Sequence, residues 1–150
     1  AWVIAPEQVI RKLVMTKQAA DLHTATFNQI VAYEVANEGF LDEHVKIIRA
    51  TYKERRDVML ETMDEVFPRE VRWTHPQGGM FLWGMLPEWM DTTELIKKAI
   101  DRKVAFVPGG AFHPNGGGKN TMRLNFSAAN PETIREGVRR LSVMIKKTMA

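Results

Sequence analysis

The chain has 150 residues, 45% of them apolar, a length and apolar share that suit one modest domain with a core of its own. Its 21 lysines and arginines exceed its 18 aspartates and glutamates by three, but the excess is interleaved with acids rather than gathered in a block, which argues against a nucleic-acid partner. The absence of cysteine excludes disulfides and thiolate metal sites, and no apolar run approaches the length of a membrane span. A cytoplasmic location is the default expectation. Trp2 to Ala5 reads as a short strand running into a helix at Pro6, where a missing amide hydrogen costs nothing. Val9, Ile10, Leu13 and Val14 give that helix one apolar face, and exposed apolar surface around Val3, Ile4 and Leu13 is expected to favour self-association.

His23 to Phe27 reads as a turn-like link, and Asn28 to Phe67 as mostly helical with a break near Gly39. Val45, Ile48, Tyr52, Met59, Met63 and Val66 recur at threes and fours, with a polar slot at Arg55 or Arg56, which predicts a long amphipathic helix stopped by Pro68. The five methionines from Met59 to Met90 suit core filling at these spacings. Val71 to Thr74 and Met80 to Gly84 are strand candidates on either side of the turn-forming run His75-Pro76-Gln77-Gly78-Gly79.

Asp91-Thr92-Thr93-Glu94 has the form of a capping box and opens a helix with Leu95, Ile96, Ala99 and Ile100 inward. Glu94 with Lys98 and Glu136 with Arg140 have the spacing of helix-surface ion pairs. Val104 to Val107 predicts a buried strand, followed by a loop from Pro108 to Asn120 read as a flexible connector that closes over a ligand. Gly116-Gly117-Gly118-Lys119 within it fails as a P-loop, because His113 stands where a glycine is required and Asn120 replaces the metal-binding hydroxyl. Asn130-Pro131-Glu132 starts a last helix with Ile134, Val138, Leu141 and Ile145 on its inner stripe.

Between these helices, Thr121 to Ser127 alternates strictly. A strand there places Met122, Leu124 and Phe126 on one face and Arg123, Asn125 and Ser127 on the other. An arginine fixed on a strand can hold a carboxylate through two parallel charge-assisted bonds, although on a half-buried strand it is more often solvated or surface-paired. Arg123 is the leading candidate for a functional residue. Asn125 and Ser127 share its face and are expected to steady it. His23, His44, His75 and His113 are scattered, so a zinc or iron site is not expected, and neither a nucleophile elbow nor a dinucleotide fingerprint is present.

Several segments, taken in order, carry a resemblance. They are Trp2-Val3-Ile4-Ala5-Pro6, Gln29, His44 with Arg49, Arg55-Arg56-Asp57, Pro76-Gln77-Gly78-Gly79-Met80-Phe81, Val107-Pro108-Gly109-Gly110-Ala111-Phe112 and Met122-Arg123-Leu124-Asn125-Phe126-Ser127. Together they resemble the C-terminal part of the class I/II aminotransferases, pyridoxal-phosphate enzymes of fold type I, and among these the branch handling aromatic amino acids or 2-aminoadipate. The resemblance implies that Arg123 binds the α-carboxylate of the substrate and that Gly79, Met80 and Phe81 line its side-chain pocket, with Asn125 beside them. It also implies that the Schiff-base lysine and the main anchors of pyridoxal 5'-phosphate lie upstream of Trp2, so that no catalytic residue stands within this chain. Ala1 stands where the family usually has glycine.

The fold expected is α+β: a short, mostly antiparallel sheet covered by the long helix and the C-terminal helix. Residues 1–27 are expected to be a remnant of the large cofactor domain with its link, and residues 28–150 the small substrate-clamping domain. The function implied is transfer of an amino group between an amino acid and a 2-oxo acid, by a homodimeric parent with neither nucleic-acid nor membrane partners. The isolated chain is expected to show no turnover. Two other readings remain: a stand-alone module gripping small carboxylates, and a dimerisation module using the first strand and helix.

Overall fold

The structure, a computed structural model, describes residues 2–150; Ala1 and the question of its identity lie outside them. The chain divides into two compact units, Ala1–Lys46 and Ile47–Ala150. In the first, helix α1 (Glu7–Ala20) is followed by α2 (Thr26–Asn37), and neither has a buried residue. Pro6 takes the capping position one residue before α1, its carbonyl accepting from the amides of Val9 and Ile10. Trp2 to Ala5 is not a strand. An isolated extended segment has no neighbour to take its backbone donors and acceptors, and none is supplied among the described residues. The expected exposure of Val3, Ile4 and Leu13 is present, with Ile4 at 86%. Leu22 adopts a positive φ of 63° after α1, and α2 starts at Thr26, inside the segment read as a link.

Gly39, at φ 71°, separates α2 from α3 (Phe40–Val66), and Pro68 follows the end of α3 as expected. In the second unit α3 buries Val58, Met59, Thr62 and Met63; Val45, read as part of the same inner stripe, belongs to the first unit and is exposed. The sheet of this unit has four antiparallel strands: β1 (Arg72–Trp73), β2 (Phe81–Met85), β3 (Val107–Pro108) and β4 (Thr121–Asn125), in the order β1-β2-β4-β3. The buried strand expected from Val104 to Val107 shrinks to β3, with Phe106 buried and Val107 exposed. After α4 (Thr92–Asp101) and the turn at Lys103, whose φ is 59°, the Val104 amide is taken by the Ala99 carbonyl rather than by the sheet.

Alternation along the two central strands decides the fold. Leu82 and Gly84 on β2 and Met122 and Leu124 on β4 are buried on one face, with Phe126 just beyond β4. That face joins one core with Met59 and Met63 of α3 and with Ile134, Val138, Leu141, Met144 and Ile145 of α5 (Pro131–Met149), so the two helices cover the sheet as expected. Met59, Met63 and Met90 fill this core, whereas Met80 is exposed. Asn130 caps α5 by accepting from the Thr133 amide at 2.9 Å, and Asp91 caps α4 by accepting from the Thr93 amide at 2.8 Å.

Two expectations about α4 are corrected. Glu94 pairs with Lys97 at 3.0 Å rather than with Lys98, because the i,i+3 neighbour reaches it on the solvent face. Ile100 lies outside the inner stripe and is 57% exposed. The pair Glu136 and Arg140 forms at 2.7 Å. No helix among the described residues is long and apolar enough to cross a membrane.

Candidate functional site

With one face of the sheet committed to the core, the other carries Phe81, Trp83 and Met85 from β2 and Arg123 and Asn125 from β4, and Arg123 is opposite Trp83 on one side and Val107 on the other. The Arg123 guanidinium carbon lies 4.1 Å from the centre of the Phe81 ring and 4.8 Å from that of Phe112. Each such contact contributes about 0.5–2 kcal/mol, depending on how dry it is. Phe112 ends a short 3-10 turn (Gly109–Phe112) and meets Trp83 edge-on at 5.4 Å. The rings thus support the cation from both sides of β4.

Among the described residues the Arg123 side chain enters none of the ion pairs and donates no hydrogen bond, and its Nε is fully buried without a partner. A half-buried guanidinium left in that condition presents its terminal nitrogens to whatever anion enters. A planar carboxylate matches their spacing.

The strand is fixed in place from below and behind. Arg55 of α3 donates to the Ser127 carbonyl just after β4, and Arg56 donates to the Pro76 carbonyl at 3.1 Å while its other nitrogens hold Asp57 at 2.5 and 2.8 Å. Both arginines therefore fill the polar slot. The hydrogen bond from Lys53, followed by that from Arg56, holds the Asp57 carboxyl below its ordinary range. The Thr93 amide does the same for Asp91.

At the other end of β4, the buried Thr92 hydroxyl contacts the Lys119 and Thr121 carbonyls at 2.9 and 2.8 Å, and the Asn120 carboxamide donates to the Leu86 carbonyl at 2.6 Å. A methyl group on Gly109 would fall 2.7 Å from the Thr121 carbonyl oxygen, so only glycine lets the 3-10 turn lie against β4. The segment from Pro108 to Asn120 is consequently no free connector. Its two ends are built into the sheet, and only the stretch around Gly116 and Gly117 stands open.

Of the residues singled out from sequence, Phe81, Arg123 and Asn125 share the open face, with Phe81 and Asn125 directly opposed. Asn125 does not steady Arg123. Its carboxamide oxygen accepts from the Ser127 amide at 2.9 Å, the Ser127 hydroxyl at 3.1 Å and the Ala128 amide at 3.1 Å, and so shapes the turn that leaves β4. Ser127 serves that same turn.

Gly79 and Met80 line a different feature, a cleft of about 620 Å³ shared with Arg49, Lys53, Arg56 and Phe126, which Arg123 does not line. Gly79 needs its positive φ of 80° to turn the chain into β2. Sequence reasoning gave no role to Trp83 or Phe112. The period-2 alternation from Phe81 could have found Trp83, whereas Phe112 arrives through a turn that no periodicity announces. Among the described residues no group of three histidine or acidic side chains is placed to hold a metal ion.

The sequence model of the family "Aminotransferase class I and II" matches residues 1–141. The chain belongs to this family. It is 47% identical over 148 residues to the aromatic-amino-acid aminotransferase 1 of Thermococcus litoralis, covering 99% of this chain and 36% of that protein. It is 44% identical over 150 residues to the 2-aminoadipate transaminase of Thermus thermophilus, covering 100% of this chain and 38% of the relative. Among solved structures, an α-aminoadipate aminotransferase from Thermus thermophilus, complexed with N-(5'-phosphopyridoxyl)-L-leucine, superposes with a TM-score of 0.87 at 44% identity, over 97% of this chain and 37% of that one. The chain thus spans a little over a third of the length of the curated relatives it matches.

Proposed function

We propose that this chain is the substrate-carboxylate-binding part of an aminotransferase that moves an amino group between an amino acid and a 2-oxo acid. The observation that carries the reading is Arg123: central on an open sheet face, supported by two rings and paired with no acid among the described residues. Amino acid and 2-oxo acid share a carboxylate next to the reacting carbon, and one fixed guanidinium can hold both in the same orientation. Phe81 borders that position, and Asn125 stands beside it. Gly79 and Met80 are assigned to the substrate's side-chain end, approached through the turn into β2.

The base that takes a proton from the substrate's Cα is assigned to a lysine outside this chain, whose own contribution is binding and orientation. The main anchors of pyridoxal 5'-phosphate are likewise assigned to residues outside this chain. The glycine run offers no cradle, because Gly118 faces the His113 imidazole, and the face holds one cation already suited to a carboxylate. In the proposed enzyme the cofactor is held by residues outside this chain and supplies the electron sink for breaking the Cα–H bond. In that whole, residues 1–27 belong to the cofactor domain and residues 28–150 to the substrate-clamping domain. The enzyme is a cytoplasmic homodimer. The names of the relatives support aromatic amino acids or 2-aminoadipate as the substrate class.

The test is steady-state kinetics on the polypeptide that natively carries this segment, with Arg123→Lys. Exchanging a two-bond clamp for a point charge removes about 1.5–3 kcal/mol, which lowers kcat/KM about ten- to 150-fold for amino acid and 2-oxo acid alike. Unchanged kinetics for both substrates would refute the role. Carboxylate binding without any turnover would favour a binding module instead.

A further inference from the structure

The geometry points to Phe81 and Phe112 as positioning residues that clamp Arg123 in the conformation that buries its Nε, so that a carboxylate is recognised end-on through the two terminal nitrogens alone. This rests on the carboxylate reading of Arg123 given above. Three observations carry it. The guanidinium carbon sits 4.1 and 4.8 Å from the two ring centres, close enough for both rings to fix its plane. Among the described residues Nε is buried and has no acceptor, so as the side chain is held a ligand meets the two terminal nitrogens first. Phe112 is itself held, edge-on to Trp83 at 5.4 Å and at the end of a turn whose Gly109 is pressed against β4.

A guanidinium can grip a carboxylate side-on, through Nε and one terminal nitrogen, or end-on through both terminal nitrogens. With Nε closed only the second remains, and it sets the angle at which the substrate's Cα leaves the sheet. The clamp also fixes the long arginine side chain before binding, so that less conformational freedom is lost when the carboxylate arrives.

The experiment is nuclear magnetic resonance of the arginine Nε–Hε groups in this chain, with pyruvate as the probe. Without ligand, Arg123 Hε is expected to show a ring-current shift and slow exchange with water. Phe112→Tyr retains both, and Phe112→Leu loses them while the amide spectrum stays folded. If Phe112→Leu fails to fold, Phe81→Leu gives the same readout. Pyruvate is expected to bind with little movement of Nε–Hε, and about two- to tenfold more weakly to the leucine variant than to the tyrosine variant.

An unshifted, rapidly exchanging Hε in the unsubstituted chain overturns the clamp. A strong downfield move of Hε on adding pyruvate overturns end-on recognition. No response to pyruvate overturns the presenting role and with it the carboxylate reading of Arg123. That result is distinguishable from failure of the clamp, which the ligand-free spectrum reports separately.

Discussion

Replacing Gly109 by alanine tests how tightly β4 is held in place. The added methyl group would lie 2.7 Å from the Thr121 carbonyl oxygen and 2.8 Å from its carbonyl carbon, and would also meet the Thr121 hydroxyl. The hydroxyl can rotate away, but the other two are backbone atoms of β4, two residues before Arg123. Relief therefore requires the 3-10 turn to lift from the strand, against the pairing of Pro108 with Met122 and of Val107 with Arg123. Overpacking of this kind costs about 1–3 kcal/mol, and with rigid partners the upper end applies, or roughly 10 °C in Tm. Gly78→Ala is the control: its φ is not positive and no atom lies within 4 Å of the new methyl, so it should be neutral or slightly stabilising. Both are read by thermal and urea unfolding. Equal stability of the two variants would refute the claim that the turn is built against β4.

Two further outcomes follow from the same contacts. Thr92→Val keeps the shape but removes the hydroxyl that meets the Thr121 carbonyl, and should cost about 1–2 kcal/mol in urea unfolding; no change would mean that the bond contributes nothing. Asp57 and Asp91 have folded pKa values below their ordinary 3.8, so their contribution to stability is full above about pH 5 and is lost as pH falls through the lowered values. The double variant Asp57→Asn, Asp91→Asn should therefore lose less stability than the unsubstituted chain between about pH 5 and pH 2; parallel curves would show that neither carboxylate matters.

Much of this fold and site is legible in the sequence. The alternation from Thr121 to Ser127 placed Met122, Leu124 and Phe126 inward and Arg123 outward, because burial of one strand face forces that parity. The caps at Asp91 and Asn130 were readable because they act within three residues. What was lost depended on distant partners. Trp2 to Ala5 has strand composition and no strand to pair with, and Ile100 fits a helical stripe that the core does not reach. The support of Arg123 by Phe112 joins residues eleven apart through a turn fixed by a glycine's lack of a side chain, which carries no period to detect. Asn125 was assigned to the right face and the wrong partner, since its carboxamide is used locally by Ser127 and Ala128.

The brevity of the outer strands has a consequence for how this unit meets other chains. β1 and β3 are two residues each, and the second residue of β3 is a proline with no amide hydrogen to offer. Neither margin of the sheet can template an incoming strand for more than a step, so cross-strand polymerisation is blocked at both ends of the row. What stays available for contact is the flat of the sheet rather than its rim, and there the exposed chemistry is Arg123 among its rings.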